Sequence, residues 1–186
     1  MFMQAVKARA LVGAKEIARK IEHLGYYKEF FDRNHLALVM AVHEYKENPH
    51  LWNESDPVDK AKFDEFKIEF ARHLHNYLMS LYSLKEKTLA VVNNLNKKYG
   101  SVVEDEEYDE KIDGFRVNEY FGFLNSLRNA FTHGCTNEGL ELIEFHDGYI
   151  SVGIGEKGIE PVIKSYRESV DKFYWWIIGE LESAKE

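Results

Sequence analysis

Arg128, Asn129 and His133 fall within six residues of one another in the stretch Asn125 to Gly139, NSLRNAFTHGCTNEG. A permanent cation, an amide and an imidazole so close together suit one reaction in particular, the cleavage of RNA. A base takes the proton of the ribose 2′-hydroxyl, which then attacks the adjacent phosphorus. The crowded phosphorane needs positive charge, and the departing 5′-oxygen needs a proton. The guanidinium of Arg128 matches phosphate oxygens in a two-pronged geometry. His133 suits the proton transfers, and Asn129 can orient the imidazole or a phosphate. No metal or other cofactor enters this scheme. The alternative is a polar helix end whose Asn129 and His133 tie down backbone groups.

Both readings depend on where the helix stops. On a continuous helix, a five-residue offset turns His133 about 140° away from Arg128. The two share a face only if the helix ends or tightens between them, and Gly134 is placed to end it. The unpaired carbonyls of a helix C-terminus favour a protonated imidazole. Arg128, as a like charge nearby, pushes the other way.

The apolar spacing assigns the elements that must hold this group. Phe63, Phe66, Phe70, Leu74, Tyr77, Leu81, Leu84, Thr88, Val91 and Leu95 alternate steps of three and four, with neither Gly nor Pro between Val58 and Tyr99. That predicts one helix of roughly 60 Å, with Gly100 as terminator and Ser55 or Asp56 capping ahead of Pro57. Two helices precede it, Ala5 to about Leu24 and Tyr27 to about Lys46, with Gly25 as the interruption. An acidic linker follows from Ser101 to about Asp113, containing EDEEYDE. Val117, Tyr120, Phe121, Leu124, Leu127 and Phe131 then mark the helix that carries the motif.

The period changes after that. Leu140 to Phe145 and Tyr149 to Ile154 alternate around Asp147-Gly148, a hairpin turn signal, and a third short strand is expected around Glu160 to Ile163. The last helix is expected to begin at Ser165, where Ser165 and Glu168 form a capping box. The fold class is mainly α: an antiparallel up-and-down helical bundle with a small β-hairpin inserted before the last helix. Residues 1–186 read as one domain.

Other constellations are weaker. Asn76 and Ser80, with His73, Ser83 and Lys87, form a polar stripe along the long helix; Asn76 or Ser80 could support the motif, or the stripe is a solvated flank. Lys85, Lys87 and Arg116 are phosphate contacts or solvated charges. His73 and His75 lie about 200° apart on a helix and cannot share a metal ion. GIGEKG, Gly153 to Gly158, matches G-x-G-x-x-G but follows a hairpin strand outside any βαβ unit, so it reads as a loop.

Of 186 residues, 45% are hydrophobic and 30% charged, and Cys135 is the only cysteine. A disulfide within the chain is excluded, which points to a reducing, cytoplasmic compartment. No run approaches the roughly 18 apolar residues that a membrane span needs. A net charge of −8 argues against sequence-blind binding of duplex DNA, whose affinity comes mostly from neutralised phosphates. Trp175 and Trp176 point to different sides of the last helix, so burial of that helix on two faces is expected, which fits a dimer contact.

The hexapeptide RNAFTH, an Arg-x4-His with Asn straight after the Arg, resembles the signature of the HEPN superfamily (higher eukaryotes and prokaryotes nucleotide-binding). The resemblance extends over ARHLHNYLMSLYSLKEKT and the apolar helix leading into the motif, and covers residues 57–186; residues 1–50 match no motif. It implies a helical bundle that dimerises so that two motifs face each other across a cleft. In many members that cleft is a metal-independent endoribonuclease for single-stranded RNA, serving as a toxin opposed by an antitoxin or in defence against phage. The residues carried over are Arg128, Asn129 and His133. A non-catalytic HEPN-like module that binds a protein or nucleotide is the alternative.

Overall fold

The computed structural model describes residues 2–48, 57–100, 102–116, 121–133, 142–152 and 158–185. Five helices and one hairpin follow in the order α1 (Phe2–Glu47), α2 (Pro57–Tyr99), α3 (Asp105–Arg116), α4 (Phe121–His133), β1 (Ile143–His146), β2 (Tyr149–Val152) and α5 (Ile159–Ser183). The fold is mainly α, a helical bundle with a hairpin ahead of the last helix. α1 packs along α2 and α5, α4 lies against α2, and α3 joins α5 to α4. The expected loop at 49–56 with its Ser55 and Asp56 caps, Val117 and Tyr120, Gly134, and residues 153–157 of GIGEKG lie outside the described residues.

The long helix is where sequence period and packing agree best. All ten residues of its apolar series are buried. Such a stripe stays on one side of a 3.6-residue helix, so burying it requires a partner along the full length, and α1 supplies it. Gly100 ends α2 with a φ of +88°, a conformation open to glycine at no steric cost. Asn96 closes the exit: its carbonyl oxygen accepts from the Val102 and Val103 amides at 2.9 and 3.1 Å, and its amide donates to the Val103 carbonyl.

Four expectations are corrected. Gly25 does not divide the N-terminal region; α1 is one helix of 46 residues. A helical Gly costs about 1 kcal/mol relative to Ala, a small term against the burial of Ile17, Leu24, Phe31 and Leu38 on either side of it. The acidic segment is a helix for most of its length, not a linker. Its one ring, Tyr108, is buried against Phe173 and Trp176 of α5, with centroids 6.0 and 6.4 Å away, and Trp176 donates to Glu107. Helix α5 begins at Ile159, six residues before Ser165, so Ser165 is interior to it and is not its N-cap. No strand forms at 160–163, because Val162 and Ile163 are buried as part of α5; one isolated bridge, Ser151 to Gly158, is what remains of it.

The hairpin sits where the alternation put it; residues 140–141 and 153–154 of the expected strands lie outside the described residues. Glu144 pairs with Ser151 and His146 with Tyr149 around Asp147-Gly148. Only Gly148 has a positive φ, +79°, so the turn departs from type I′, which needs two. Two strands cannot stand alone in water, and here Phe145 anchors them. Its ring lies 5.4–6.0 Å from those of Tyr45, Phe63, Phe66 and Phe70, and the Tyr45 hydroxyl donates to the His146 carbonyl at 2.8 Å.

One buried polar group stands out in the core. Tyr77 has no exposed surface, and its hydroxyl has no hydrogen-bond partner among the described residues. Burial pushes its phenol far above the ordinary range. Tyr77→Phe is therefore expected to stabilise the protein by about 1 kcal/mol, because an uncompensated hydroxyl is removed and the ring stays. Thermal unfolding followed by circular dichroism should show a midpoint higher by roughly 2–4 °C.

Candidate functional site

Helix α4 brings the motif to the surface of the bundle. Leu124 and Leu127 are buried, which fixes the helix against its neighbours and leaves Arg128 half-buried and Asn129 exposed. Phe131 lies against the ring of His75 on α2 at 5.8 Å. The Thr132 hydroxyl donates to the Arg128 carbonyl, one turn back. The described part of α4 runs to His133, and Gly134, the expected terminator, lies outside the described residues. The imidazole itself lies outside the described residues.

The residue that meets Arg128 is Tyr82 of α2. The guanidinium carbon stands 4.5 Å from the centroid of that ring. The Tyr82 hydroxyl in turn donates to Asn125 Oδ1 at 2.9 Å, one turn before Arg128 on α4. Burial raises the Tyr82 phenol and the Arg128 charge pulls it back; the group is a neutral phenol at neutral pH. A cation over an aromatic face gains about 0.5–2 kcal/mol, the more so when water is excluded. Arg128 Nε is buried and has no hydrogen-bond partner, and no carboxylate lies within ion-pairing distance of the guanidinium among the described residues. Arg128 is thus a positioned cation whose charge no carboxylate among the described residues cancels.

Asn76 and Ser80 stand apart from this arrangement. Asn76 is half-buried and makes no hydrogen bond among the described residues. Ser80 is fully buried and donates to the Tyr77 carbonyl of its own helix. Tyr82 and Asn125 are the residues that sequence reasoning missed. Tyr82 lies off the apolar stripe of α2, and Asn125 lies one turn from Arg128; both are weak signals that only α2–α4 packing connects.

A second polar region lies between α1 and α5. A cleft of about 660 Å³ opens there, lined in part by His35, Val39, Met40, Ile163 and Arg167. Two of its cations, Arg167 and Lys46, are paired, while Lys164, which also lines it, has no ion pair among the described residues. Arg167 pairs with Asp32 at 2.6 Å and Asp171 at 2.7 Å, buried Lys28 pairs with the same two carboxylates at 2.7 and 2.8 Å, and Lys46 pairs with Glu160 at 3.0 Å. Burial opposes the charge of Asp171, but hydrogen bonds from Lys28 and Arg167 outweigh it and hold its carboxyl below the ordinary range. This is a clasp between two helices, and the contrast with Arg128 decides which region is the candidate site. No group of three His, Cys, Asp or Glu among the described residues could hold a metal ion, and no described helix is long and apolar enough to cross a membrane.

His35 borders that clasp. Its ring lies 6.1 Å from Phe31 and 6.0 Å from Tyr77, and its Nδ1 is buried without a hydrogen-bond partner among the described residues. Burial, then the charges of Arg167 and Lys28, lower its pKa; Asp32 and Asp171 oppose them less strongly. The unfolded chain therefore binds this proton at about pH 6.5 while the folded protein resists it. Stability from this group is complete above that pH and declines as pH falls towards the lower folded value. The urea midpoint is expected to drop between about pH 7 and 5, and His35→Phe should flatten part of the drop. His73, lowered by burial and Arg72, supplies another part.

No family model matches the chain, and no curated protein or solved structure matches it.

Proposed function

We propose that this chain is a HEPN-like, metal-independent endoribonuclease that cleaves single-stranded RNA, acting in the cytoplasm as a homodimer in a toxin or defence role. The observation that carries the reading is Arg128: half-buried, laid over Tyr82, and without a carboxylate among the described residues. A structural arginine is ordinarily cancelled by an acidic neighbour, as Arg167 is here. One left uncancelled among the described residues suits an incoming anion.

In this mechanism Arg128 holds the non-bridging oxygens of the scissile phosphate. His133, at the helix terminus, takes the 2′-hydroxyl proton or returns one to the 5′-oxygen. Asn129 orients either partner. Attack of the 2′-oxygen forms a 2′,3′-cyclic phosphate and releases a 5′-hydroxyl strand, so atoms and charge balance without a cofactor.

The test is incubation of purified protein with an unstructured RNA in excess chelator, beside His133→Ala. Wild-type protein is expected to leave 2′,3′-cyclic ends and the variant none. Equal cleavage by both proteins would expose a contaminant and end this reading. The second reading, a non-catalytic module that binds a protein, draws on the exposed Tyr26, Phe30 and Met40 of α1 and the net charge of −8. An antitoxin is one such partner. That reading predicts intact RNA in both reactions and a stoichiometric complex in pull-downs.

A further inference from the structure

We infer that Tyr82 is a positioning residue for Arg128, and that the pair presents an anion with the two terminal nitrogens of the guanidinium, end-on. The inference rests on the phosphate-binding role proposed for Arg128 and adds to it the group that sets the geometry.

An arginine side chain is long and carries substantial rotamer freedom. Here two contacts remove that freedom. The guanidinium carbon lies over the Tyr82 ring at 4.5 Å from its centroid. The ring cannot swing aside without breaking the 2.9 Å hydrogen bond from its hydroxyl to Asn125. Asn125 stands on the same helix as Arg128, so platform and cation are referenced to one rigid element.

The direction of approach follows from Nε. An oxyanion can be gripped by Nε together with one terminal nitrogen, or by both terminal nitrogens. Arg128 Nε is buried, which closes the first mode. The second remains, and it places a phosphate beyond the tip of the side chain instead of along its flank. Tyr82 touches neither phosphate nor ribose in this arrangement. It acts through Arg128 alone.

The test uses the full-length protein labelled with ¹⁵N-arginine, as wild type, Tyr82→Phe and Tyr82→Leu. Hydrogen exchange of the Arg128 Nε–H is measured first. Slow exchange is expected in wild type, somewhat faster exchange in Tyr82→Phe, which keeps the ring but loses the hydrogen bond to Asn125, and exchange at least about tenfold faster than wild type in Tyr82→Leu, where the aromatic face is lost. Inorganic phosphate is then titrated in, and the terminal nitrogens of Arg128 are expected to respond more than Nε. RNA cleavage by the same three proteins should show kcat about tenfold lower in Tyr82→Leu, little change in KM, and rates within about threefold of wild type in Tyr82→Phe.

Unchanged exchange in Tyr82→Leu would overturn the positioning role, whatever the RNA assay gives. A phosphate response centred on Nε would overturn the end-on geometry. Lost protection in Tyr82→Leu together with intact RNA in every reaction would leave the positioning role standing and remove the ribonuclease reading instead. Tyr82→Phe guards against misfolding, since it retains the ring that packs between α2 and α4.

Discussion

Arg128→Ala is expected to slow RNA cleavage by about 10²- to 10³-fold, the loss usual when a group that stabilises transition-state charge is removed. The fold should survive it. Arg128 is half-buried and has no ion pair to break among the described residues, so the substitution leaves no stranded carboxylate. What is lost is the stack on Tyr82, worth about 1 kcal/mol at a partly exposed position. Arg128→Lys sharpens the result. Lysine keeps the charge but has neither the plane that lies on an aromatic ring nor the fork that grips two oxygens. It should recover at most about tenfold over alanine. Initial rates on a short unstructured oligonucleotide, with unfolding midpoints measured in parallel, separate chemistry from stability. A variant that folds normally and cleaves as fast as wild type would remove Arg128 from the mechanism.

Phe70→Ala is expected to have the largest effect on stability, about 3–5 kcal/mol. Phe70 is fully buried on α2, against Phe66 and against Phe145 of the hairpin, with centroids at 6.2 and 5.6 Å. Truncation opens a cavity at the point where the hairpin is anchored, and the neighbouring rings have partners of their own that limit collapse into it. The unfolding midpoint should fall on the order of 10 °C for a chain of this size. Amide exchange across β1 and β2 should accelerate more than in α4, since two strands depend on this contact for their stability. A loss below about 1 kcal/mol would mean that the aromatic cluster does not carry the hairpin.

These two substitutions probe features that were not equally legible. The apolar series of α2 was readable because a helix repeats every 3.6 residues, and ten side chains at steps of three and four leave little choice of face. The stop at Gly100 and the turn at Asp147-Gly148 were readable for a related reason: a backbone conformation announces itself within a few residues. Arg128 and Asn129 were visible as residue types, but their different exposure was not.

Local sequence thus determined that most of this chain is helical, where the longest apolar face lies, and where a hairpin interrupts the bundle. Tertiary structure decided the continuity of α1 through Gly25, the folding of an acidic run into α3 around Tyr108, the start of α5 at Ile159, and the placing of Tyr82 beneath Arg128. In each case a weak local preference, worth about 1 kcal/mol or less, was outweighed by burial against a distant segment. Tyr82 and Arg128 are 46 positions apart in the sequence. No periodicity within either helix encodes their meeting; it exists because Leu124 and Leu127 commit one face of α4 to the interior, leaving Arg128 to settle against whatever α2 presents at that height.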